Sequence, residues 1–294
     1  MAAIIIDGKA IAAKHREKLR LKSEELKKRG IMPCLAVILA GEDPASVSYV
    51  RGKQRALLET GMEGRDIRLP ETVGESELLS LINSLNSDDA VHGILVQLPL
   101  PGQIREDEII NAIDPRKDVD CFHPMNAGKF FLGQPGFVPC TPGGILVLLE
   151  ELEIPVKGSH VVVVGRSNIV GKPLALLFAR REQNATVTFC HTGTEDLPSY
   201  TSRADILVAA AGSPGLIKAD MIKKGAAVID VGLKRVTKNG VSQLLGDVDF
   251  EQALDVAGWI TPVPGGVGPM TIAMLLRNLL LAAEACGKNP TIPE

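Results

Sequence analysis

The chain has 294 residues, and its 32 basic and 35 acidic side chains give a formal net charge of −3. At roughly 150 residues per domain, this length predicts two domains. A nucleic-acid-binding protein needs a basic surface and aromatic stacking platforms, but here the charges nearly balance and only 3% of the residues are aromatic. The composition therefore predicts a globular protein with no nucleic-acid partner.

The sequence also predicts no membrane span, no disulfide framework and no metal site. Apolar runs such as 161–164 and 279–283 are far shorter than the ~20 residues that span a bilayer, and the first residues lack the basic-then-apolar layout of a signal peptide. The cysteines are scattered without a C-x-x-C pair, and the histidines show no metal-ligand spacing. We therefore expect a cytoplasmic protein with reduced thiols, no metal and no membrane contact.

Short β-branched runs alternate with amphipathic stretches, a pattern typical of a parallel sheet with crossover helices. The first half is predicted to contain helices at 10–30, 45–60, 75–85 and 106–113 and strands at 34–39, 65–69 and 91–97. Residues 114–139 contain four prolines and little periodicity, which favours a functional loop or a domain junction.

The second half repeats this alternation. Helices are predicted at 142–152, 168–181 and 268–286, and four buried strands at 161–164, 186–190, 206–210 and 227–231. The chain is therefore predicted to be an α/β protein throughout.

The strand at 161–164 runs into Gly165, Arg166 and Ser167 and then into a predicted helix, which is where a Rossmann fold binds a pyrophosphate. The usual G-x-G-x-x-G pattern is missing, since only Gly165 and Gly171 occur, so a plain tight turn is the alternative. The next strand ends without the acidic residue that binds the ribose of NAD. Arg166 could instead meet a 2′-phosphate, which favours NADP, although a solvated surface arginine is the alternative.

Candidate catalytic groups lie in the first half. Tyr49 and Lys53 are four residues apart on a predicted helix and so share a face, although an ordinary surface lysine is the alternative. A short-chain dehydrogenase also has a Tyr-x-x-x-Lys pair, but there the pair follows the nucleotide turn, whereas here it precedes it by about a hundred residues. Gln97 ends a predicted strand, where ligand groups gather, and could orient Lys53 by a hydrogen bond.

Two further segments carry candidate binding groups. Asp118 and Asp120 offer a carboxylate for a cyclic, amidine-like edge with two adjacent N–H donors, with an Asx turn as the alternative. The segment 261–271 is rich in proline and glycine, which predicts close backbone approach to a flat ligand.

Taken together, these segments resemble the methylenetetrahydrofolate dehydrogenase/methenyltetrahydrofolate cyclohydrolase family. The matching stretches occur in the family's order and cover nearly the whole chain: 5–9, 46–53, 93–101, 117–120, 122–124, 139–142, 165–171, 246–249 and 260–271.

The resemblance implies an N-terminal α/β domain that binds folate and a Rossmann-type NADP-binding domain, with the active-site cleft between them. Residues 1–139 with 268–294 would form the first domain and residues 140–267 the second. The family is usually a homodimer. It oxidises 5,10-methylenetetrahydrofolate with NADP and hydrolyses the methenyl product to 10-formyltetrahydrofolate, so tetrahydrofolate derivatives, polyglutamylated forms included, are the expected partners.

The resemblance also implies roles for individual residues. Lys53 would be the catalytic lysine and Gln97 would support it. Tyr49 would stack on or steer the folate, and Asp120 would hold the pterin edge. The substrate would be bound by Tyr49, Lys53, Val96, Gln97, Leu98, Asp120, Pro262, Val263, Pro264, Gly265 and Gly266. The cofactor would be bound by Gly165, Arg166, Ser167, Ile169, Thr192 and Leu233.

The sequence departs from the family's pattern at two positions. Cys121 stands where glycine is common, and a glycine there would allow a positive φ at no cost. Thr192 stands where serine is common and keeps the hydroxyl group.

Three alternatives remain open at this point. They are an enzyme with the dehydrogenase step alone, a catalytically silent protein that binds NADP or dimerises, and a different two-domain NADP dehydrogenase of the shikimate type.

Overall fold

The structure, a computed structural model, describes residues 2–238 and 241–286. The chain divides into two compact units. One takes in the residues up to Ala13 together with Pro139–Thr271, and we call it the six-stranded unit after its sheet. The other takes in Lys14–Val138 and the residues from Ile272 onward, and we call it the three-stranded unit.

The helices α1 to α10 are Gly8–Lys28, Pro44–Glu59, Glu75–Asn86, Glu106–Ala112, Pro124–Phe131, Cys140–Glu151, Gly171–Ala179, Leu197–Thr201, Phe250–Ala253 and Val267–Cys286. The strands β1 to β11 are Ile4–Ile5, Cys34–Ala40, Glu63–Leu69, Gly93–Val96, His160–Val164, Thr186–Cys190, Ile206–Ala209, Ala227–Asp230, Lys234–Lys238, Val241–Leu245 and Trp259–Ile260. A 3-10 helix covers Ala219–Met221.

The sheet of the six-stranded unit is parallel in every pairing, in the order β1-β11-β8-β7-β5-β6. Strands β7 and β8 are buried along their whole length, as expected for apolar runs that are covered on both faces. The chain goes from β5 outward to β6 and then returns to β7 on the other side of β5. The carboxyl ends of β5 and β7 therefore mark the switch point, where open α/β sheets bind ligands.

The N terminus differs from the expected domain boundary. Residues 1–13 were expected with the folate domain, but β1 lies at the edge of the six-stranded sheet, in register with β11. The Ile6 N–H donates to the Ile260 carbonyl at 2.8 Å, and the Ile6 side chain is fully buried. The physical reason is that this short apolar segment covers an otherwise open sheet edge. Residues 268–271 of α10 also belong to this unit.

The three-stranded unit contains a parallel sheet in the order β3-β2-β4. The central strand β2 is buried at all seven positions, which fits its uninterrupted apolar sequence. Helix α2 follows β2 directly. The carboxylate of Asp43 accepts the Ser46 N–H at 2.8 Å, and Pro44 occupies the first turn, so the helix start is well defined.

Three predicted elements differ from the structure. The segment 114–139 contains the helix α5, whose eight residues are too few for a clear periodic signal; the His123 ring accepts the Met125 N–H at its start. Strand β6 was expected to be buried, but it lies at the sheet edge and only Cys190 is buried. The predicted crossover helix 168–181 is shorter and begins at Gly171 as α7.

Several short elements had no sequence signal. The antiparallel pair β9–β10, the two-residue strands β1 and β11 and the helices α8 and α9 were not predicted. Each is too short to show a period.

Helix α10 is long and apolar enough, by length and composition, to cross a membrane. More than half of the apolar 18-residue stretch in α10 is buried inside the protein. The apolar side chains from Ala273 to Leu276 and from Leu279 to Leu280 lie in the core. The core of a folded unit accounts for this apolar composition.

Candidate active site

Lys53 and Gln97 meet at the carboxyl edge of the three-stranded sheet. The Lys53 Nζ donates to Gln97 Oε1 at 2.9 Å. The Gln97 Nε2 in turn donates to the Leu98 carbonyl at 2.8 Å, so the amide presents its oxygen to the lysine. The Gln97 N–H donates to the Ile38 carbonyl, which ties this residue to the central strand. The hydrogen bond expected from the sequence is therefore present and rigidly supported.

Tyr49 lies one turn before Lys53 on α2. Its side chain is 39% exposed, and burial of the rest of the ring raises the pKa of the phenol above its usual value. The phenol therefore stays neutral at physiological pH. Tyr49 offers an apolar ring with a hydroxyl group on the same helix face as Lys53.

Asp120 reaches the same sheet edge through a short extension of the sheet. Asp118 forms a parallel bridge with Ile94, and the Ile94 N–H donates to the Lys117 carbonyl at 2.8 Å. Val96 and Asp120 each lie two residues beyond this bridge. Both line one small cavity, which Leu98 also lines. The structure therefore brings Asp120 to the strand end that carries Gln97.

Asp118 and Asp120 have different surroundings, which the sequence could not distinguish. The Asp118 carboxylate is 2% exposed and accepts hydrogen bonds from Phe122 N–H, His123 N–H and Asn126 Nδ2 at 2.8–3.1 Å. Burial raises the pKa of Asp118 to about 6, against the opposing effect of these donors. Asp118 therefore anchors the turn, as the Asx-turn alternative predicted, and Asp120 is the more accessible carboxylate.

Asn278 on α10 supports the Asp120 segment from a distant part of the chain. Its Nδ2 donates to the Val119 carbonyl at 2.8 Å and to the Val138 carbonyl at 2.9 Å, and the side chain is fully buried. Sequence analysis missed this residue. The available signal was an asparagine inside a mostly apolar helix, where a buried amide needs partners.

Cys121 adopts the backbone conformation for which glycine is suited. Its φ is +65°, in the left-handed region, and the side chain is buried with Sγ 3.4 Å from the Phe137 carbonyl. A side chain in this region costs about 1–2 kcal/mol. The turn after Asp120 is therefore formed despite a local backbone penalty.

We expect Cys121→Gly to be about 1 kcal/mol more stable than Cys121→Ala, because both lose Sγ but only glycine avoids the left-handed penalty. Urea unfolding of the two variants measures the difference. Ala127→Gly, in the ordinary helix α5, is the matched control and should instead lose about 1 kcal/mol. A Cys121→Ala variant at least as stable as Cys121→Gly would contradict the argument.

The turn after β5 brings two chain segments unusually close. Gly165 has a φ of +127°, and a Cβ there would collide with the Ala210 carbonyl after β7. A Cβ on Gly171 would collide with the Gly165 carbonyl. Both glycines are therefore required by close backbone packing at the switch point, which the spacing alone could not decide.

Ser167 changes the expected chemistry of the α7 start. The sequence predicts a pyrophosphate site there, which would use free N–H groups, but Ser167 Oγ accepts from Val170 N–H at 3.2 Å and Gly171 N–H at 3.3 Å. The Lys172 N–H donates to the Ser167 carbonyl. The Ser167 hydroxyl oxygen, in the turn before the helix, therefore satisfies two backbone N–H groups at the start of α7.

Arg166 and Thr192 extend from neighbouring strand ends. Val164 pairs with Cys190 in the register of β5 and β6, and each of the two residues lies two positions beyond its strand. Both side chains are exposed, as are those of the other predicted cofactor residues, Ile169 and Leu233. The end of β6 carries no acidic side chain, as the sequence indicated.

The predicted folate-binding residues 262–266 follow β11 in the six-stranded unit. Gly265 has a φ of +115°, Val263–Pro264 is a cis peptide bond, and the Gly266 N–H donates to the Pro262 carbonyl at 2.9 Å. A Cβ on Gly8 would collide with the Gly266 carbonyl. This loop is therefore held tightly, in a different unit from Lys53, Gln97 and Asp120.

Comparisons with known proteins identify relatives of both units. The model of the tetrahydrofolate dehydrogenase/cyclohydrolase catalytic domain matches residues 6–120, and the model of that family's NAD(P)-binding domain matches residues 139–286. A protein from Exiguobacterium sibiricum named bifunctional protein FolD is 57% identical over 282 residues, which are 96% of this chain and 100% of the relative.

Two solved structures are similar over nearly their full length. The bifunctional FolD methylenetetrahydrofolate dehydrogenase/cyclohydrolase of Campylobacter jejuni has 49% identity and a TM-score of 0.92, covering 97% of this chain and 99% of that one. The methylenetetrahydrofolate dehydrogenase-cyclohydrolase of Trypanosoma brucei, complexed with NADP and an inhibitor, has 39% identity and a TM-score of 0.93, covering 97% and 98%.

Proposed function

The chain belongs to the tetrahydrofolate dehydrogenase/cyclohydrolase family, and from this membership we propose which of its residues carry out the two reactions. It is an NADP-dependent enzyme that oxidises 5,10-methylenetetrahydrofolate to the methenyl compound and hydrolyses this to 10-formyltetrahydrofolate. The shikimate-type alternative is therefore excluded.

The observation that carries the assignment is the 2.9 Å hydrogen bond from Lys53 Nζ to Gln97 Oε1. Hydrolysis adds water to the cationic methenyl carbon, breaks the bond from that carbon to N5, transfers one proton of the water to N5 and releases the other to solvent. An amine held in one place by an amide is suited to this task, because it can accept a proton and then return it. We assign this proton transfer to Lys53 and its orientation to Gln97.

The remaining side chains of this unit bind and orient the folate. The Asp120 carboxylate accepts from the two adjacent N–H groups of the pterin edge, and the Tyr49 ring packs on the flat substrate. Val96 and Leu98 provide apolar contacts beside Asp120, since all three line the same small cavity. We assign residues 262–266 to the folate as well, because a rigid backbone that contains two glycines can approach a planar ligand closely.

The turn after β5 fits the pyrophosphate of NADP. Gly165 leaves no room for a side chain at the switch point, and the Ser167 hydroxyl, whose oxygen accepts from Val170 N–H and Gly171 N–H, can donate its hydrogen to a phosphate oxygen. Arg166 provides the positive charge for a 2′-phosphate, and Ile169, Thr192 and Leu233 complete the proposed contacts. When bound, NADP accepts the hydride from the methylene carbon.

The two activities are tested by mixing the purified protein with 5,10-methylenetetrahydrofolate and NADP, with NAD in a parallel sample. Reduced-nicotinamide absorbance should rise with folate and faster with NADP, and formation of 10-formyltetrahydrofolate should follow. A dehydrogenase signal without hydrolysis would support the dehydrogenase-only alternative. No reduction with either cofactor would refute the assignment and favour a silent protein.

Arg166→Ser should raise the KM for NADP by about 30-fold, because a charge-assisted contact to the 2′-phosphate contributes about 2 kcal/mol. The KM for NAD should stay within about twofold, since NAD lacks that phosphate. Steady-state kinetics with each cofactor provide the measurement. Arg181→Ser, also an exposed arginine of this unit, is the control. An equal loss with both cofactors would contradict a 2′-phosphate contact.

We further propose a cytoplasmic homodimer that accepts polyglutamylated folates. The cysteines are scattered without a C-x-x-C pair, which suits the reducing environment of the cytoplasm. Light scattering of the purified protein tests the dimer, and KM values for mono- and polyglutamylated substrates test the folate form.

A further inference from the structure

Two buried aspartates lie at the carboxyl edge of the six-stranded sheet, outside the residues assigned above. Asp230 ends β8 and is 3% exposed, and Asp247 follows β10 and is 1% exposed. Burial raises the pKa of Asp230 to about 6, and the nearby Asp247 adds to the rise.

Asp230 holds two loops through its carboxylate. Its Oδ1 accepts from the Gly232 N–H and the Asp247 N–H, and its Oδ2 accepts from the Val248 N–H, all at 2.9 Å. Its own N–H donates to Thr261 Oγ1 at 2.7 Å. Asp230 therefore connects the loop that leads to Leu233, the segment around Asp247 and the residue that opens the 262–266 loop.

Asp247 holds a third loop, the one after β7. Its Oδ2 accepts from the Ala211 N–H at 2.6 Å and from the Gly212 N–H at 2.9 Å. The preceding residue, Ala210, is the one whose carbonyl leaves no room for a Cβ on Gly165. One continuous chain of contacts thus runs from Asp247 to the turn proposed for the pyrophosphate.

Two glycines allow the carboxylates to approach these backbones. A Cβ on Gly232 would collide with the Asp247 carboxylate, and a Cβ on Gly246 would collide with the Asp230 carboxylate. Each aspartate therefore packs against a glycine that lies close to the other aspartate in sequence.

Two neighbouring buried carboxylates are an inefficient way to stabilise a fold. Removing such groups from water is costly, and apolar replacements of similar shape are often neutral or stabilising. Here the carboxylates accept five backbone N–H groups on loops at the edge where parallel sheets bind ligands. Orientation of these loops explains the arrangement better than stability does.

We infer that Asp230 and Asp247 are positioning residues for NADP, which fix the loops after β7 and β8 against the cofactor turn. This inference rests on the proposed NADP site. The hydroxyl of Thr261 extends the same network toward the 262–266 loop.

The test replaces Asp247 by leucine, which has a similar shape but no acceptor for Ala211 and Gly212. Calorimetric titration should show a Kd for NADP at least tenfold higher than wild type, and kcat/KM for NADP should fall by a similar factor. Cyclohydrolase activity on the methenyl compound, measured without NADP, should stay within about threefold. Asp247→Asn should restore the NADP Kd to within about threefold, because one amide oxygen can accept both N–H groups.

Asp249→Asn is the matched control, since Asp249 lies two residues away but pairs with Lys218 at 3.1 Å on the surface. Its NADP Kd should not change. If Asp247→Leu does not yield soluble protein, Asp247→Ser, too short to reach the loop, is judged by the same criteria. Wild-type NADP affinity in these variants, a parallel loss of cyclohydrolase activity, or an asparagine variant as weak as leucine would each overturn the inference. Because titration needs no turnover, an inactive wild type would refute the proposed function while the NADP Kd still decides this inference.

Discussion

Replacing Lys53 with glutamine should lower the cyclohydrolase kcat by a factor of about 10²–10⁴, the range expected when a positioned acid–base group is lost. The glutamine can still bond to Gln97, so the sheet edge and the substrate KM should change little. The dehydrogenase rate should fall far less, because transfer of a hydride requires no proton on Lys53. Separate assays of the two reactions measure both effects.

Lys53→Arg separates a proton-transfer role from a charge role. Arginine keeps the positive charge and can donate to Gln97 Oε1, but its guanidinium does not release a proton. If Lys53 transfers a proton, the arginine variant should be about as slow as the glutamine variant. If arginine restores the rate, Lys53 acts through its charge alone and the proposed mechanism is wrong.

Arg55→Gln is the control for both variants. Arg55 lies on the same helix and forms an exposed ion pair with Glu59 at 2.8 Å. Its loss should leave both activities within about twofold, since exposed ion pairs contribute about 0–1 kcal/mol. Cyclohydrolase activity within tenfold of wild type in Lys53→Gln would exclude the lysine as the acid–base group.

The meeting of Lys53 and Gln97 could be predicted because each follows from a local pattern. The apolar run before Gln97 identifies a strand end, and the capped start of α2 fixes the face that carries Lys53. In a parallel βαβ unit both features come to one sheet edge, so short-range signals were sufficient.

The roles of Asp118 and Asp120 could not be predicted in the same way. Both are acidic and two residues apart, and only the tertiary structure shows that Asp118 is enclosed by Phe122, His123 and Asn126. Strand β1 could not be predicted for a different reason, since its partner strand β11 lies about 250 residues away and has only two residues. Long-range contacts of this kind have no local periodicity.

The glycines at the cofactor turn are an intermediate case. Their spacing departs from G-x-G-x-x-G, so the sequence left a plain tight turn as the alternative. The geometry shows why two glycines are enough: Gly165 faces the Ala210 carbonyl and Gly171 faces the Gly165 carbonyl. The backbone contacts of these two glycines, rather than a match to the motif, therefore show that the turn requires them.

Gly171→Ala should raise the Kd for NADP by about 50-fold and destabilise the protein by about 2–3 kcal/mol, as expected for overpacking against backbone. The new Cβ would collide with the Gly165 carbonyl and lie 3.0 Å from the Arg166 Cα, so the turn must move. Calorimetric titration with NADP and urea unfolding give the two values. Cyclohydrolase activity without NADP should be retained, since Lys53 and Gln97 lie in the other unit.

Gly268→Ala separates this collision from the general effect of adding a methyl group to a helix start. Gly268 is in the first turn of α10, in the same unit, and a Cβ there would meet no atom within 4 Å. Because alanine has the higher helix propensity, this variant should gain up to about 1 kcal/mol and bind NADP as wild type does. Wild-type NADP affinity in Gly171→Ala would show that the close approach of Gly165 and Gly171 serves packing alone, and the cofactor turn would then have to be assigned to other residues.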